Sequence, residues 1–218
     1  MAFLNINMIH DSAIYIIEGI WVTLQYTLLS VFLGAIIGTV ITICRLSRSA
    51  LLRYFAMIYV SLFRGTPLLV QLHIVYFVLP MWGLNVSIFM AGIISFSLNS
   101  AAYVSEIIRS GIGSIDKGQF EASRALSISH YDMMKDIILP QALRNILPSL
   151  VNEVVNLLKE TAIISVIGGA DIMRRAEVVS AGAYDYFTPL FIAAACYYLM
   201  VFIFSALARI LEIKLRIR

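Results

Sequence analysis

Five apolar stretches, each about as long as a lipid bilayer is thick, dominate this chain of 218 residues. A membrane-spanning helix needs about 20 mainly apolar residues. The chain is 61% hydrophobic and only 13% charged, whereas soluble domains are roughly 25% charged. We therefore predict an all-α integral membrane protein with five transmembrane helices, in a single transmembrane domain over residues 1–218. The predicted spans are Ile20–Ile43, Tyr54–Leu84, Val86–Ser105, Ile137–Ala170 and Phe187–Ala208, of which the second and fourth are interrupted.

The distribution of Lys and Arg predicts the orientation, because these residues are enriched on the cytoplasmic side of a membrane. If the C-terminus is cytoplasmic, only Arg174 and Arg175 lie outside, and Arg64 and Lys159 lie within spans. The other Lys and Arg residues then lie inside. We therefore expect the N-terminus outside and the C-terminus in the cytoplasm. The net charge of +3 reflects this topology and does not indicate nucleic-acid binding.

The loop between the third and fourth spans, residues 110–136, is polar and is predicted to lie in the cytoplasm. Apolar spacing predicts a short helix over Phe120–Leu126. Ser129 and Asp132 form a capping-box pattern, which predicts a second helix that begins at Ser129, with Tyr131, Met134 and Ile138 on one face. Neither helix is long enough to be stable alone in water. We therefore expect them to pack on this protein or on a separate one.

The same loop resembles the cytoplasmic "EAA" signature of ABC-importer permeases. Its matching residues are Glu121-Ala122-Ser123, then Ser127, then Ile137-x-Leu139-Pro140, at the spacing of the signature. Two positions depart from it, because Ser123 replaces the third Ala and Ser127 replaces a turn Gly. If the turn needs a positive φ, Ser127 is strained there.

Further segments are similar to the polar amino-acid subfamily of these permeases, namely Phe63–Gln71, Tyr103–Ile112 with Gly118-Gln119, and Leu158–Gly168. The resemblance implies a type I ABC-importer permease with a cytoplasmic coupling helix. It also implies an importer of two permease subunits, identical or different, and an ABC ATPase dimer, fed by an extracytoplasmic amino-acid-binding protein in a bacterial inner membrane. The residues it assigns to ATPase coupling are Gly118, Gln119, Glu121, Ala122, Ser123 and Ser127.

Polar residues inside the spans are candidates for the solute path, because ionisable groups in lipid cost at least about 2.5–3.5 kcal/mol each. In the fourth span, Glu153, Asn156 and Glu160 share nearly one helical face. They either bind a zwitterionic solute or pair internally, with Lys159 neutralising a carboxylate. In the third span, Asn99 and Tyr103 are expected to line the path, whereas Glu106 and Arg109 are expected to form a structural salt bridge.

The second span is broken by Arg64-Gly65-Thr66-Pro67. Proline removes a backbone donor, so a kink or an interruption is expected there. Discontinuous helices at membrane depth often bind solute, but a kink that only shapes the bundle is an equal alternative. Arg64 is a candidate for binding a substrate carboxylate or for snorkelling to the cytoplasmic surface. Gln71 is a further candidate for the path.

Motifs for chemistry are absent from the sequence. It contains no phosphate-binding P-loop, no H-E-x-x-H, no Cys/His metal cluster and no G-x-S-x-G. We therefore predict a transport subunit that is not an enzyme and needs no cofactor, with ATP hydrolysis by a partner. Two competing classes are an ion-coupled secondary transporter and a membrane-embedded hydrolase. The favoured function is the permease of an ATP-driven importer of polar amino acids, with glutamine or basic amino acids as the solute.

Overall fold

The fold is entirely helical over the residues that the computed structural model describes, which are 6–216 for the backbone and 11–210 for the side chains. The main helices are α1 (Ile6–Ile17), α2 (Gly19–Leu46), α3 (Ala50–Gly65), α4 (Leu68–His73), α5 (Ile88–Gly113), α6 (Lys117–Ala125), α7 (His130–Asp132), α8 (Leu139–Glu160), α9 (Ile172–Ala183) and α10 (Phe187–Arg216). A π turn, Ile74–Val78, and a 3₁₀ turn, Leu79–Trp82, extend α4. A second π turn, Met133–Ile138, joins α7 to α8, and a 3₁₀ turn, Thr161–Ile167, follows α8.

Helices α2 and α5 form the centre of the bundle through small residues that allow a close approach. A Cβ added at Gly34 would lie 2.9 Å from the Ser100 Cβ, and one at Gly38 would lie 2.8 Å from the Ala101 carbonyl oxygen. In lipid, helices associate through such close packing and through hydrogen bonds. The Thr42 hydroxyl supplies one of these, because it lies 3.2 Å from the Ser105 carbonyl oxygen on α5.

The second predicted span is broken, as the sequence predicted. Helices α3 and α4 meet at an angle of 105° around Thr66 and Pro67. Both residues are extended, and α4 begins directly after Pro67. A proline at the start of a helix loses nothing, because the first helical N–H groups have no intrahelical partner.

Three helices in the described part of the chain are long and apolar enough to cross a membrane, and a fourth is added if the α3–α4 pair counts as one span. They correspond to the first, third and fifth predicted spans, with the bent pair as the second. Helix α8 is not among them, because its sequence is polar on one face. A count of five spans therefore stays a prediction.

The loop after α5 forms the two helices that the sequence predicted, with different boundaries. Helix α6 begins at Lys117 and ends at Ala125, earlier than the predicted Phe120–Leu126. The Ser129 Oγ accepts the Asp132 N–H at 3.2 Å, so Ser129 caps the second helix. Asp132 does not reach back to a backbone N–H, because its carboxylate accepts the Ser129 hydroxyl at 2.6 Å.

The predicted face of this second helix holds for Met134 and Ile138 and is wrong at Tyr131. Tyr131 is 70% exposed, whereas Met133 is only 3% exposed and Ile138 is fully buried. The reason is the π turn, in which residues five apart come into line. Met133 therefore joins Ile138 on the buried face, with Met134 partly buried against them, and Tyr131 lies outside it.

Candidate translocation path and coupling surface

The amides of Gln71 and Asn99 hold the break in the second span. Because Pro67 has no N–H and the chain is extended there, the Phe63 carbonyl lacks a helical partner. The Gln71 Nε2 donates to the Phe63 carbonyl at 2.9 Å and to the Thr66 carbonyl at 3.1 Å. The Asn99 Nδ2 donates to the Gln71 Oε1 at 3.0 Å and lies 3.2 Å from the Phe63 carbonyl. These two buried side chains were predicted for the path. Their amides supply hydrogen bonds to carbonyl groups at the break in the helix.

Arg64 and Tyr103, also predicted for the path, lie together on the surface of the chain. The Arg64 guanidinium carbon lies 5.4 Å from the centre of the Tyr103 ring, a distance typical of a cation–π contact. The Arg64 side chain is 41% exposed, and its Nη1 lies 3.8 Å from the Glu106 Oε2. From the end of α3 the side chain therefore reaches to the carboxylate of α5.

Glu106 is the centre of a cluster that the sequence showed only in part. The predicted ion pair between Glu106 and Arg109 is present. The structure adds Arg45, at 2.6 Å from the Glu106 Oε2, and Arg64. One carboxylate thus faces three guanidinium groups. The signal that could have found this cluster is the single acid among the arginines predicted at the cytoplasmic ends of α2 and α5.

The acidic residues of α8 differ in their surroundings. Glu153 is half-buried, and its Oε1 accepts the Ser100 hydroxyl at 2.8 Å. Asn156 and Glu160 are exposed, as are Asn152 and Lys159. Within the described side chains, no salt bridge joins Lys159 to a carboxylate of α8. The polar face of α8 is therefore open in a single chain, and Glu153 is the member anchored to α5.

The loop residues predicted for ATPase coupling, except the buried Ser123, form an exposed surface on α6 and the turn after it. Gly118, Gln119, Glu121 and Ala122 are exposed, and their helix is capped by Asp116, whose Oδ1 accepts the Gly118 N–H at 2.6 Å. A Cβ at Gly118 would lie 2.8 Å from that oxygen. Glycine therefore fits the tight cap.

The two departures from the EAA signature each have a structural counterpart. Ser123 is buried, and its hydroxyl donates to the Gln119 carbonyl at 2.7 Å, so the extra oxygen is satisfied. Ser127 adopts φ 54°, in the left-handed region that favours glycine. The conditional expectation of strain at Ser127 thus applies. Leu126 and Tyr131, which the sequence placed in the two loop helices but not among the coupling residues, add exposed apolar area beside this turn.

The segment between α8 and α10, residues 168–187, packs against α1, α2 and α10. Asp171 caps α9 by accepting the Arg174 N–H at 2.9 Å, and it accepts the Tyr197 hydroxyl at 2.9 Å. Burial raises the pKa of Asp171 to about 6. The Arg175 Nη1 lies 2.8 Å from the Glu18 Oε2. This segment is therefore a packed part of the bundle.

Together, the helical bundle, the broken span, the polar face of α8 and the exposed loop define a polytopic membrane subunit for transport. A family model described as "binding-protein-dependent transport system inner membrane component" matches residues 16–217. The chain belongs to this family. The predicted ABC-importer permease, a multi-pass inner-membrane transport subunit and not an enzyme, is confirmed, and with it a partner ATPase and a second permease subunit.

Similar proteins include curated permeases and solved transporters. The chain is 57% identical, over 94% of its length and 95% of the relative, to a putative glutamine transport system permease protein of Rickettsia typhi. It is 48% identical, over 93% of both chains, to the arginine transport system permease protein of Bacillus subtilis. A crystal structure of an amino acid ABC transporter with histidines matches with a TM-score of 0.93 and 41% identity, over 98% of this chain and 100% of that one.

A second solved structure supports the fold alone. The MetNI methionine ABC transporter, in an inward-facing conformation, matches with a TM-score of 0.78 and 19% identity, over 92% of this chain and 96% of that chain. The family assignment, the similar permeases and the 41% identical amino acid ABC transporter favour an ATP-driven permease over the two competing classes, a secondary transporter and a membrane hydrolase.

Proposed function

We propose that this permease carries a polar amino acid, either glutamine or a basic amino acid, and receives it from an extracytoplasmic binding protein. The names of the glutamine and arginine permeases that it resembles support this solute class. The description of the family as dependent on a binding protein supports that partner.

The observation that carries the proposal is the open polar face of α8. Asn156 and Glu160 are exposed in an otherwise apolar chain. Glu153, on the same helix, is half-buried and accepts a hydrogen bond from Ser100. A polar face of this kind is costly against lipid and must meet water or protein. A second permease subunit that covers it encloses a polar path between the two chains. Carboxylates there suit an α-ammonium or a cationic side chain.

The other predicted path residues have supporting roles in this proposal. Arg64 and Tyr103 border the path from α3 and α5, where both are exposed. Gln71 and Asn99 lie behind it and keep the α3–α4 break in shape, which their hydrogen bonds to the Phe63 carbonyl support.

The proposed topology has five spans, with α8 as the fourth, the N-terminus outside and the C-terminus in the cytoplasm. The distribution of Lys and Arg supports it. Impermeant thiol labelling tests the orientation, with a single cysteine in place of Leu126 after Cys44 and Cys196 are replaced by serine. Labelling of Leu126→Cys in intact cells contradicts the topology.

Coupling is proposed to run through the loop of residues 110–136, with α6 docked on the ATPase. The exposure of Glu121, Ala122, Leu126 and Ser127 supports a docking surface. We expect Glu121→Arg to separate ATP hydrolysis from uptake while membrane insertion stays intact. Arg48→Glu, a charge reversal at an exposed residue outside the loop, is the control. Normal uptake in Glu121→Arg contradicts the docking role.

The solute path is tested in proteoliposomes that contain the permease, its ATPase and its binding protein. Labelled amino acids are screened for ATP-dependent uptake, and Glu153→Ala and Glu160→Ala are compared with Glu177→Ala, a carboxylate on α9. We expect a raised KM or a lowered rate for the α8 variants alone. If alanine at both α8 positions leaves KM and rate unchanged, the acidic residues are structural.

A further inference from the structure

A cavity of about 700 Å³ lies between the end of α5 and the start of α8, beside the loop of residues 110–136. Its volume falls in the range of small-molecule sites. No residue that the sequence assigned to the solute path lines it. The polar lining residues are Glu106, Ser110, Ser114, Arg144, Asn145 and Ser149.

The lining has one cation without an ionic partner. Among the described side chains, Arg144 forms no salt bridge, whereas both oxygens of Glu106 are already engaged, one by Arg45 and one by Arg109. The Asn145 Nδ2 donates to the Ser114 Oγ at 3.0 Å, which fixes the amide in the wall. The lining therefore holds a guanidinium fork without an ionic partner, and the shape of this fork matches a carboxylate.

The cavity continues the polar face of α8. Asn145, Ser149, Asn152, Asn156 and Glu160 follow one another at intervals of four, three, four and four residues, which places them along one helical face. At 1.5 Å per residue, Asn145 and Glu160 are about 22 Å apart along the axis. The cavity therefore lies at one end of the proposed solute path, and the acidic residues lie at the other.

We propose that this cavity is a second solute subsite, at the cytoplasmic end of the path, where Arg144 binds the α-carboxylate of the transported amino acid. The inference rests on the proposed function, because it needs an amino-acid solute and a path along α8. The two ends of the path suit opposite charges of the zwitterionic solute. The acidic residues of α8 suit its ammonium group, and Arg144 suits its carboxylate at the exit.

A site at the cytoplasmic exit is expected to bind the transported amino acid when it accumulates on that side. Occupancy of the site can therefore be measured as inhibition of uptake. Proteoliposomes with ATP inside are preloaded with the transported amino acid, and the initial rate of labelled uptake is recorded. We expect preloading to slow uptake by wild-type protein. Preloading with the analogue that lacks the α-carboxylate has little effect, because Arg144 then has no anion to bind.

Substitution separates Arg144 from a general charge effect. Since the loss of one charge-assisted pair costs about 1.5–3 kcal/mol, Arg144→Gln is expected to need at least about tenfold more lumenal amino acid for the same inhibition. Arg144→Lys, which keeps the charge but loses the fork, is expected to be intermediate. Arg48→Gln, an exposed arginine outside the cavity, is expected to behave as wild type.

Three results overturn the subsite. They are equal inhibition of wild type and Arg144→Gln, equal inhibition by the analogue without a carboxylate, and no inhibition of the wild type at all. Preloading with inorganic phosphate tests for a general anion site, and Arg144-dependent inhibition by phosphate also overturns the assignment. Failure of the proposed function gives a different result, because vesicles without preloaded amino acid then show no ATP-dependent uptake. Assembly of Arg144→Gln is checked by its ATPase rate, and Arg144→Lys replaces it if assembly fails.

Discussion

The contact between α5 and α8 at Gly111 gives the sharpest test of the packing that positions both the cavity and the loop of residues 110–136. A Cβ at Gly111 would lie 2.1 Å from the Ile146 Cγ1 and 3.4 Å from the Ala142 carbonyl oxygen. Gly113, two residues further on, is also helical, and a Cβ there meets nothing within 4 Å. Gly111→Ala and Gly113→Ala therefore form a matched pair with the same chemistry and different surroundings.

The expected difference follows from two opposing terms. Overpacking a filled core costs about 1–3 kcal/mol, and Ile146 is itself buried in the cluster around Met133 and Ile138. Alanine in place of glycine gains up to about 1 kcal/mol of helix propensity. We therefore expect Gly111→Ala to lower the free energy of unfolding by about 1–2 kcal/mol. Gly113→Ala is expected to leave it unchanged or to raise it slightly.

The assay is denaturant unfolding of the purified permease in mixed micelles, with Ile146→Ala and the double variant Gly111→Ala/Ile146→Ala completing a cycle. Because the new methyl group then enters the space that Ile146 left, the double variant is expected to be more stable than the sum of the single changes predicts. A coupling of about 1 kcal/mol or more is typical of residues in contact. Equal stability of Gly111→Ala and Gly113→Ala refutes the close approach.

Three further outcomes are expected. Gln71→Leu removes the amide that donates to the Phe63 and Thr66 carbonyls and accepts from Asn99, so it is expected to lower the free energy of unfolding by about 1–3 kcal/mol. A change in solute KM without any loss of stability contradicts its role at the break. Ser127→Gly removes the left-handed strain and is expected to raise the unfolding free energy by roughly 1 kcal/mol; no change in unfolding contradicts the strain. Burial raises the pKa of Asp171 from an ordinary 3.8 to about 6, so the unfolded chain loses this proton at a lower pH than the folded protein does. The stability that the protonated Asp171 contributes is therefore present below pH 4 and falls between pH 4 and 6. Asp171→Asn is expected to remove about 3 kcal/mol of that pH dependence, and identical unfolding profiles of both proteins against pH contradict it; Glu177 and the Tyr197 hydroxyl are the neighbouring titratable groups in both.

Much of the architecture could be read from the sequence because lipid leaves few choices. A long apolar segment must be helical in a bilayer, since its backbone groups have no other partners. Pro67 removes a donor, so the break in the second span was predictable from one residue. The EAA spacing around Glu121 likewise predicted a short helix and a turn at Ser127, where strain was expected if the turn needs a positive φ.

Contacts between distant residues could not be read in the same way. The sequence suggested Gln71 and Asn99 for the path, but only the fold reveals that both amides satisfy the carbonyl groups freed by the break. Arg45 is 61 residues from Glu106, and no local pattern indicates that they meet. The predicted face with Tyr131 failed because a π turn is not encoded in an α-helical period.

The sequence by itself determined that this chain is a helical membrane protein with a broken second span and an exposed polar loop. These features depend on local properties, namely hydrophobic length, the missing N–H of proline and turn chemistry. The tertiary structure decided which polar groups satisfy one another and which remain open. Among the described side chains, Arg144 has no ionic partner, and Glu106, the acid that lines the same cavity, is already engaged by Arg45 and Arg109. That outcome depends on how helices far apart in the chain pack, and local sequence does not specify it.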